Sequence, residues 1–449
     1  MKTKFSRRSF LRTSTLSGTA LLLLPSARLA LAYEANGKLD VAGIGVGGQG
    51  RSDLDNISGL GVNIVALCDV DQKRAGDIFQ KHPQAKVFTD FRRMLDEMDK
   101  EIDAVVVATP DHTHAVAAVA AMKRGKHVYC EKPLTRTAHE ARVMRQTALE
   151  HQVVTQMGNQ GSAENGLRRA VELVWGGTIG EVREAHVWFD GGNGPQQRPA
   201  DQPPVPESLS WDLWLGPAAE RPYHPCYLPA SWRGWRAFGS GIVGDFGCHT
   251  GNLMFRALRL DQLWNPPPGS KAGSNVIRVE AKPSEVDQEG YPSSMVTVIE
   301  LPASSELPPV KLMLYAKDKP SEELLLGHPR GAWGDLLVGS KGSIYSDCPW
   351  NTRFVLLPKE KFQGIKAGPP QTLPPSAGHH REWVEACKGN GKTFSSFEIG
   401  GPLTELMQLV NLATLVEGPV EYDAINGKIL NPNTAGALAH RQYRKGWVL

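Results

Sequence analysis

Paired cysteines are missing from this sequence. Its 449 residues include only six cysteines, none of which forms a C-x-x-C pair or lies in a His-Cys cluster. Neither a disulfide framework nor a zinc site is therefore indicated, and we predict no metal site. We interpret the cysteines in apolar segments as small buried side chains.

Acidic residues are absent from the first 32 positions, which hold six of the 50 basic residues. The remainder has 44 basic and 47 acidic residues, so the body of the protein is slightly acidic although the whole chain has a net charge of +3. This balance argues against a large nucleic-acid-binding surface. The composition, with 41% hydrophobic and 22% charged residues, is typical of a globular protein of two or three domains.

A long apolar run is also lacking, because the N-terminal one, about 16–24, is too short to span a bilayer. It follows a basic segment and precedes Ala30-Leu31-Ala32, a small-residue cleavage site. Residues 6–11, Ser-Arg-Arg-Ser-Phe-Leu, resemble a twin-arginine signal, with an ordinary secretion signal as the alternative. We predict a signal peptide over 1–32 with cleavage near Ala32. The protein would use the twin-arginine export machinery, reside in the periplasm or otherwise outside the cytoplasm, and have no membrane anchor.

A glycine-rich loop follows the first apolar run of the mature chain. The run Leu39–Ile44 predicts a strand, a helical pattern starts near residue 50, and Gly45-Val46-Gly47-Gly48-Gln49-Gly50 lies between them. In this dinucleotide-binding spacing the glycines permit a tight turn, close approach of a pyrophosphate, and close packing of the helix on the strand. The helix N-terminus also offers N–H groups to phosphates. An overlapping frame that starts at Gly43 fits as well, but Gly43 lies inside the apolar run, so we prefer the later frame.

Asp69 closes the second predicted strand, Asn63–Leu67, 19 residues after Gly50. A carboxylate at this place accepts a hydrogen bond from the ribose 2′-hydroxyl and repels a 2′-phosphate. The sequence therefore favours NAD as the cofactor. Lys73 and Arg74 nearby leave NADP possible.

Strands and helices alternate as far as about residue 158. Each predicted strand leads into a polar or Gly/Pro cluster, which is the edge of a parallel sheet where ligands bind. Later strand-like runs lack interleaved helices and favour an antiparallel sheet. We predict an α/β protein with a Rossmann NAD(P)-binding domain at 38–158. An α+β domain for substrate binding and oligomerisation follows at 159–449, with a mostly antiparallel open sheet. A second copy of the chain is the expected cover for that sheet's free face, so we predict a homo-oligomer.

Four motifs occur together in the order of a known family. They are the glycine loop, Ala-Thr-Pro-Asp-His-Thr-His at 108–114, Glu-Lys-Pro at 131–133, and Gly-Ser-Gly-Ile-Val-Gly-Asp-Phe-Gly-Cys-His at 239–249. The chain resembles the Gfo/Idh/MocA oxidoreductases, the glucose–fructose oxidoreductase and inositol dehydrogenase group, in their longer exported bacterial branch. This resemblance implies an NAD(P)-dependent oxidoreductase that acts on a CH–OH group of a small carbohydrate: a sugar, glycoside or polyol.

The resemblance also implies roles for particular residues. Lys132 would be the catalytic lysine, and Asp245 and His249 would complete the site. Asn159 stands where the family has a polar cofactor or substrate contact, although residues 157–160 depart from the usual pattern. Glu131 would lie beside the nicotinamide ribose. The residues predicted to bind the cofactor are Gly45, Val46, Gly47, Gly48, Gln49, Gly50, Asp69, Thr109, Pro110, His114, Glu131, Lys132 and Asn159.

Hydride transfer from a carbinol requires a base that removes the hydroxyl proton. Asp245 and His249 are four residues apart and share one face of a helix, and an imidazole oriented by a carboxylate is a workable base near neutral pH. We predict that His249 accepts the proton and that Asp245 positions both partners. Lys132, with a pKa lowered by burial, would orient and polarise the reacting oxygen. The sequence leaves open which of His249 and Lys132 takes the proton.

Two other functions remain open. An NAD-dependent glycoside-processing enzyme would oxidise, eliminate and then reduce, without the paired carboxylates of ordinary glycosidases. A non-catalytic cofactor- and sugar-binding protein would not need Lys132, Asp245 and His249 intact. Because free nicotinamide dinucleotide is scarce outside the cytoplasm, we also predict that the cofactor is bound tightly before export. Six aromatic residues between Trp211 and Trp235 should mainly pack a long loop, with one or two facing the sugar.

Overall fold

The computed structural model describes residues 38–268, 275–303, 308–365, 372–431, 435–436 and 439–449. The predicted signal peptide, with its twin-arginine motif and its cleavage site near Ala32, lies outside the described residues. Within the described ranges no helix has the length and apolar character needed to cross a membrane.

The first part of the described chain forms a parallel sheet of six strands in the order β3-β2-β1-β4-β5-β6. Its strands are β1 (Leu39–Ile44), β2 (Val62–Cys68), β3 (Lys86–Phe88), β4 (Ala104–Val107), β5 (His127–Glu131) and β6 (Thr155–Gly158). The connecting helices are α1 (Gln49–Ser58), α2 (Gly76–Lys81), α3 (Phe91–Glu97), α4 (Asp111–Met122) and α5 (Ala138–Glu150). Every residue of the central strand β4 is buried, because helices pack on both faces of the sheet.

The second part contains a nine-stranded sheet in the order β13-β12-β11-β7-β10-β9-β8-β14-β15. Its strands are β7 (Val182–Phe189), β8 (Val276–Pro283), β9 (Met295–Leu301), β10 (Val310–Ala316), β11 (Gly334–Gly339), β12 (Gly342–Ser346), β13 (Val355–Leu357), β14 (Val420–Asp423) and β15 (Lys428–Ile429). Only the pair β7–β10 is parallel among these described strands. The predicted fold class, a parallel Rossmann sheet followed by a mostly antiparallel one, is confirmed.

One face of the large sheet is covered by helices and joins the core of the first sheet. The remaining helices are α6 (Asn165–Trp175), α7 (Trp211–Leu215), α8 (Gly241–Thr250), α9 (Asn252–Ala257), α10 (His379–Cys387) and α11 (Phe397–Ala413). Helix α11 is buried along almost its whole length between α5 and α8. Helix α10 instead packs on α1, where Trp383 shares a core with Leu54 and Ile57. A late segment of the chain therefore completes the first domain.

The long connection between β7 and α8 builds a small core of its own. Its aromatic rings pack on one another, with Trp211 and Trp214 stacked at 4.8 Å and Tyr227 edge-on to Trp235 at 4.8 Å. Residues 206–215 of this connection, which we call the strap, pair with the loop after β2. Asp71 and Leu209 form an antiparallel bridge, and the Ser210 N–H donates to the Val70 carbonyl at 2.8 Å. Through the strap, the second domain contacts the first at the loop that follows β2.

Candidate active site

A cavity of about 370 Å³ runs along the carboxyl edge of the parallel sheet. Asp69 and Arg74 lie at one end of it, after β2, and Lys132 and His249 lie at the other. The carboxyl ends of β1, β2, β4 and β5 all open into this cavity, as expected for an open parallel sheet. Its lining, from the glycine loop to Lys132 and His249, suits an extended dinucleotide with a substrate beside it.

The glycine loop has the geometry expected of the later frame. Gly45 has a φ of +79°, and a Cβ there would lie 2.7 Å from the Thr109 nitrogen. A Cβ on Gly50 would lie 2.1 Å from the Gly45 carbonyl oxygen, so this glycine allows α1 to start directly against the loop. Gly47 and Gly48 both line the cavity, and the Arg74 side chain lies against them: a Cβ on Gly47 would be 2.7 Å from its Cγ. These residues form the cradle that a pyrophosphate requires.

Asp69 ties the glycine loop to the end of β2. Its Oδ2 accepts hydrogen bonds from the Val46 and Gly47 N–H groups, both at 2.8 Å, and its Oδ1 accepts one from Asp71 N–H at 2.9 Å. Burial raises the pKa of this carboxyl, and the three backbone N–H groups oppose that shift. Asp69 lines the cavity, where a carboxylate suits ribose hydroxyls and repels a 2′-phosphate. The residues present therefore fit NAD.

Lys132 is held by an ion pair at the opposite end of the cavity. Its Nζ donates to Asp245 Oδ1 at 2.5 Å, and the Arg233 Nε approaches the same oxygen at 3.4 Å. Burial lowers the pKa of Lys132, but the charges of Asp245 and Glu131 outweigh it and raise that pKa above the ordinary value of 10.5. The expected lowering is thus reversed in this structure. Asp245 does not line the cavity and lies behind the lysine.

His249 lies on α8 and lines the cavity beside Phe246 and Trp350. Burial, followed by the nearby Lys132 charge, lowers its pKa to about 3, so the imidazole is neutral at physiological pH. Its buried Nδ1 has no hydrogen-bond partner among the described residues. The described residues show no hydrogen bond from a His249 N–H to Asp245, whose Oδ1 instead faces Lys132 and Arg233. Among these three side chains, Asp245 positions Lys132 alone.

Two more acids face this region. Asp111 begins α4 and lines the cavity, and burial raises its pKa to about 7 although the charge of Arg233 opposes the shift. Glu131 also lines the cavity, and its pKa is raised to about 8, first by burial and then by the Asp53 charge. Gln160 donates to Glu131 Oε1 at 2.9 Å. Both carboxyls are therefore poised to exchange protons near neutral pH.

Most of the predicted cofactor residues are brought together along this cavity. Those that line it are Gly45, Gly47, Gly48, Gln49, Asp69, Thr109, Pro110, His114, Glu131 and Lys132. Val46 contributes its backbone N–H to Asp69, and Gly50 contributes close packing. The His114 ring nitrogens lie 2.7 Å from the Thr109 carbonyl and 2.9 Å from the Pro133 carbonyl, so this side chain joins two cavity loops.

Asn159 departs from its predicted role. It is fully buried and does not line the cavity. Its Nδ2 donates to the Cys248 carbonyl at 3.2 Å, and its Oδ1 accepts from the hydroxyls of Ser162 and Ser395. Because these bonds use the amide within the protein core, Asn159 supports α8 from behind. The neighbouring Gln160 reaches the cavity in its place.

Sequence reasoning missed several residues of this site. Arg233 stands among the loop aromatics and carried no separate signal, and Asp111 lies inside a quoted motif without an assigned role. His112 and His379 are buried structural side chains. The Nε2 of His112 lies 2.8 Å from the Trp214 carbonyl oxygen. The Nε2 of His379 lies 3.0 Å from the Met157 carbonyl oxygen. Of the loop aromatics, Trp214 and Trp232 line the cavity, and Trp214 does so at the end that contains Asp69.

The strap and the C-terminal segment close the end of the cavity that contains Asp69. Leu209, Leu213 and Trp214 of the strap line it, together with Trp447. Trp447 packs against Phe91, and Arg444 joins the segment to the strap by donating to Asp212 at 2.5 Å. This end of the cleft is therefore roofed by two segments that are distant in sequence from the glycine loop.

Comparisons with known proteins agree with this architecture. The family model for the NAD-binding Rossmann fold of the Gfo/Idh/MocA oxidoreductase family matches residues 39–159, and its C-terminal alpha/beta domain model matches residues 188–261. A glycosyl hydrolase family 109 protein of Solibacter usitatus is 36% identical over 156 residues, which are 30% of this chain and 35% of that protein. An inositol 2-dehydrogenase of Salmonella paratyphi B is 29% identical over 147 residues, 32% of this chain and 43% of that enzyme.

The chain thus spans well under half the length of these two curated relatives. A solved structure of an inositol dehydrogenase homolog from Azotobacter vinelandii, in complex with NADH and myo-inositol, superposes with a TM-score of 0.55. It is 16% identical, covers 86% of this chain and 97% of its own, and shows the likeness of the fold. In these two regions, 39–159 and 188–261, the chain is similar to the Gfo/Idh/MocA oxidoreductases, to their NAD-binding Rossmann domain in the first and to their C-terminal α/β domain in the second.

Proposed function

We propose that this protein is an oxidoreductase that transfers a hydride between a bound nicotinamide dinucleotide and a hydroxyl-bearing carbon of a sugar, glycoside or polyol. The observation that carries the proposal is one continuous cavity, with a dinucleotide cradle at one end and a lysine–carboxylate pair beside a neutral histidine at the other. When bound, the nicotinamide ring supplies the site that accepts or returns the hydride.

Lys132 and His249 have complementary states for this chemistry. Lys132 is held protonated by Asp245, so its ammonium donates a hydrogen bond to the reacting oxygen. His249 is neutral and lines the cavity, so a ring nitrogen other than its buried Nδ1 can accept the hydroxyl proton as the carbonyl forms. Of the two candidates left open by the sequence, His249 is thus better suited to take the proton.

A carbohydrate suits the walls of this end of the cavity. Trp232, Phe246 and Trp350 line it together with the polar groups of Lys132 and His249. Aromatic faces pack against the C–H faces of sugar rings, and the polar groups bind hydroxyls. The named substrates of the relatives, an inositol among them, belong to the same class of compound.

The proposal is tested with Lys132→Ala, His249→Ala and the double variant. Each single variant should lose most of its turnover while the cofactor stays bound. The double variant should be little worse than either single one, because residues that act as one unit are not additive. Lys86→Ala, which changes an exposed lysine of β3 paired with Glu101, is the matched control. Full activity in either single variant refutes the assignment.

We also propose that the protein works outside the cytoplasm and keeps its cofactor through export. The signal predicted at residues 1–32 and the roof formed by the strap and Trp447 support this. A ligand bound only by the folded state also stabilises that state. Protein purified from the periplasm without added nucleotide should contain close to one dinucleotide per chain. Nucleotide-free protein that turns over only with added NAD, and releases NADH, contradicts the proposal.

A homo-oligomer is proposed on the large sheet. The face of β9 and β10 that points away from the helices includes half-buried Val296, Val298 and Met313. These apolar side chains suit contact with a second copy of the chain. Light scattering that shows a monomer at micromolar concentration contradicts it.

Glycoside processing by oxidation, elimination and reduction is the second candidate. The matched glycosyl hydrolase family 109 protein supports it, and so does Asp111, because elimination next to a transient carbonyl needs a further acid or base near pH 7. The purified protein is incubated with a panel of glycosides. Free sugar without net cofactor reduction supports this candidate, whereas a ketosugar with reduced cofactor supports the first.

A further inference from the structure

Arg233 has unused hydrogen-bonding capacity at the substrate end of the cavity. It lies on the turn 231–234 and lines the cavity, and its side chain is 37% exposed, compared with 14% for Lys132. Its Nε faces Asp245 at 3.4 Å, but its two terminal nitrogens make no hydrogen bond to the described part of the chain. The guanidinium lies 4.3 Å from the ring centre of Trp232. The two terminal nitrogens of this guanidinium are therefore available to a ligand.

The position of Arg233 is set by close backbone packing. A Cβ on Gly239 would lie 2.5 Å from the Arg233 Cα, so only a glycine allows the turn to approach the start of α8 this closely. The Gly239 N–H donates to the Trp235 carbonyl at 2.8 Å and closes the connection between them. Since α8 also carries Asp245 and His249, the arginine is held at a fixed place relative to the reacting groups.

The charged groups at this end of the cavity do not balance. A single carboxylate, Asp245, faces both Lys132 and Arg233 through the same oxygen. Asp111 and Glu131 also line the cavity but give incomplete compensation, because their pKa values of about 7 and about 8 leave a large fraction of each protonated at neutral pH. His249 is neutral. The protein thus presents a partly uncompensated guanidinium to whatever occupies the cavity.

A guanidinium fork matches a carboxylate, with which it forms two parallel charge-assisted hydrogen bonds. A sugar hydroxyl offers neither the charge nor the paired geometry. We propose that Arg233 binds a carboxylate of the substrate, so that the enzyme acts on hexuronic acids or their glycosides in preference to neutral sugars. This inference rests on the proposed function and names the substrate class of the same site.

The test compares sugars that differ only in the acidic group. Methyl glucopyranosiduronate and methyl glucopyranoside, and the corresponding galacto pair, are supplied to the cofactor-containing protein. Binding is measured by calorimetry, and kcat/KM by product analysis. We expect each uronide to be preferred by about tenfold to a hundredfold, as for one or more charge-assisted hydrogen bonds.

Arg233→Gln should weaken uronide binding about thirtyfold or more and leave binding of the neutral partner within about threefold. Arg233→Lys keeps the charge without the fork and should fall between the two. Arg183→Gln, which alters an exposed arginine of β7 paired with Glu181, is the matched control and should behave as the unaltered protein. Cofactor content and thermal unfolding establish that each variant is folded.

The outcomes separate this proposal from the proposed function. Equal affinity of the unaltered protein for both members of a pair overturns the role of Arg233, and so do equal losses for both members in Arg233→Gln. Turnover of neutral sugars alone also overturns it, while the oxidoreductase function stands. Uronide binding that depends on Arg233, without turnover of any compound, supports the anion site and refutes the oxidoreductase function.

Discussion

Asp245→Asn removes the negative charge that two neighbouring cations share. The Lys132–Asp245 pair has an N–O distance of 2.5 Å, and its side chains are only 14% and 19% exposed, so solvent screens it weakly. Loss of one partner from such a pair leaves an uncompensated charge, at a cost of about 3–5 kcal/mol. We expect the free energy of unfolding to fall by up to this amount at pH 7. The value of kcat should fall about a hundredfold to a thousandfold, because the ammonium is no longer held toward the reacting oxygen.

The pH dependence of this variant separates a chemical role from a structural one. In the unaltered protein the pKa of Lys132 lies above its ordinary value, so its protonated form persists at high pH. Without Asp245, burial and the Arg233 charge lower that pKa with less opposition, and activity should be lost at a lower pH on the alkaline side. Single-turnover hydride transfer, followed by bound-cofactor absorbance from pH 6 to 11, measures this shift. Asp96→Asn, at an exposed acid paired with Arg124, is the control.

A normal rate in Asp245→Asn would refute the reasoning. An unchanged alkaline limb accompanied by a reduced rate would also contradict it, because the loss would then be due to misfolding or displacement of the site. Asp245→Glu retains the negative charge, so activity should be lost at the same alkaline pH as in the unaltered protein, even if the longer side chain slows the reaction.

Three further predictions concern other parts of the cleft. The pKa of Asp111 is about 7 in the folded protein and near 3.8 in the unfolded one. Between these pH values only the unfolded state loses the proton, so the free energy of unfolding falls as pH rises. In unfolding experiments from pH 4 to 8, Asp111→Asn should therefore become more stable than the unaltered protein, by an amount that approaches about 4 kcal/mol at pH 8. Trp447→Ala should speed dinucleotide release about tenfold, measured by the nucleotide lost during gel filtration. An unchanged rate of release would show that the roof does not retain the dinucleotide. Asp69→Ala should weaken NAD binding and reduce the difference between the affinities for NAD and NADP, both measured by titration. NADP extracted from the native protein would contradict the role of Asp69 in selecting NAD.

Long elements with a clear apolar pattern were predictable from the sequence. β1 has the expected bounds, Leu39–Ile44, because a strand buried on both faces requires a run of apolar residues. The strands β3 and β15 were not predicted, since they have three and two residues and lie at sheet edges. Such short segments are held by one neighbouring strand and need no apolar alternation of their own.

The cofactor cradle was predictable for a related reason. Its residues are contiguous in sequence, and their spacing follows from the local geometry of a strand, a turn and a helix. Arg233 and the strap were not, because loop contacts between distant segments bring them to the cleft. Asn159 has a sequence position that suits a ligand contact, but its amide oxygen accepts hydrogen bonds from Ser162, three residues later, and from Ser395 of a distant segment, which the sequence does not place there.

The roof over the Asp69 end of the cleft has a consequence for the order in which the protein matures during synthesis. Arg92 beside the cleft donates a hydrogen bond to the Gly446 carbonyl, across 354 positions of sequence, and Trp447 follows immediately. The ribosome delivers the glycine loop first and this covering segment hundreds of residues later. A nascent chain therefore has the glycine loop without its cover, and both helix α10 of the first domain's core and the covering segment are added only when the last part of the chain has emerged. The order of synthesis therefore allows the dinucleotide to bind before the cleft is covered.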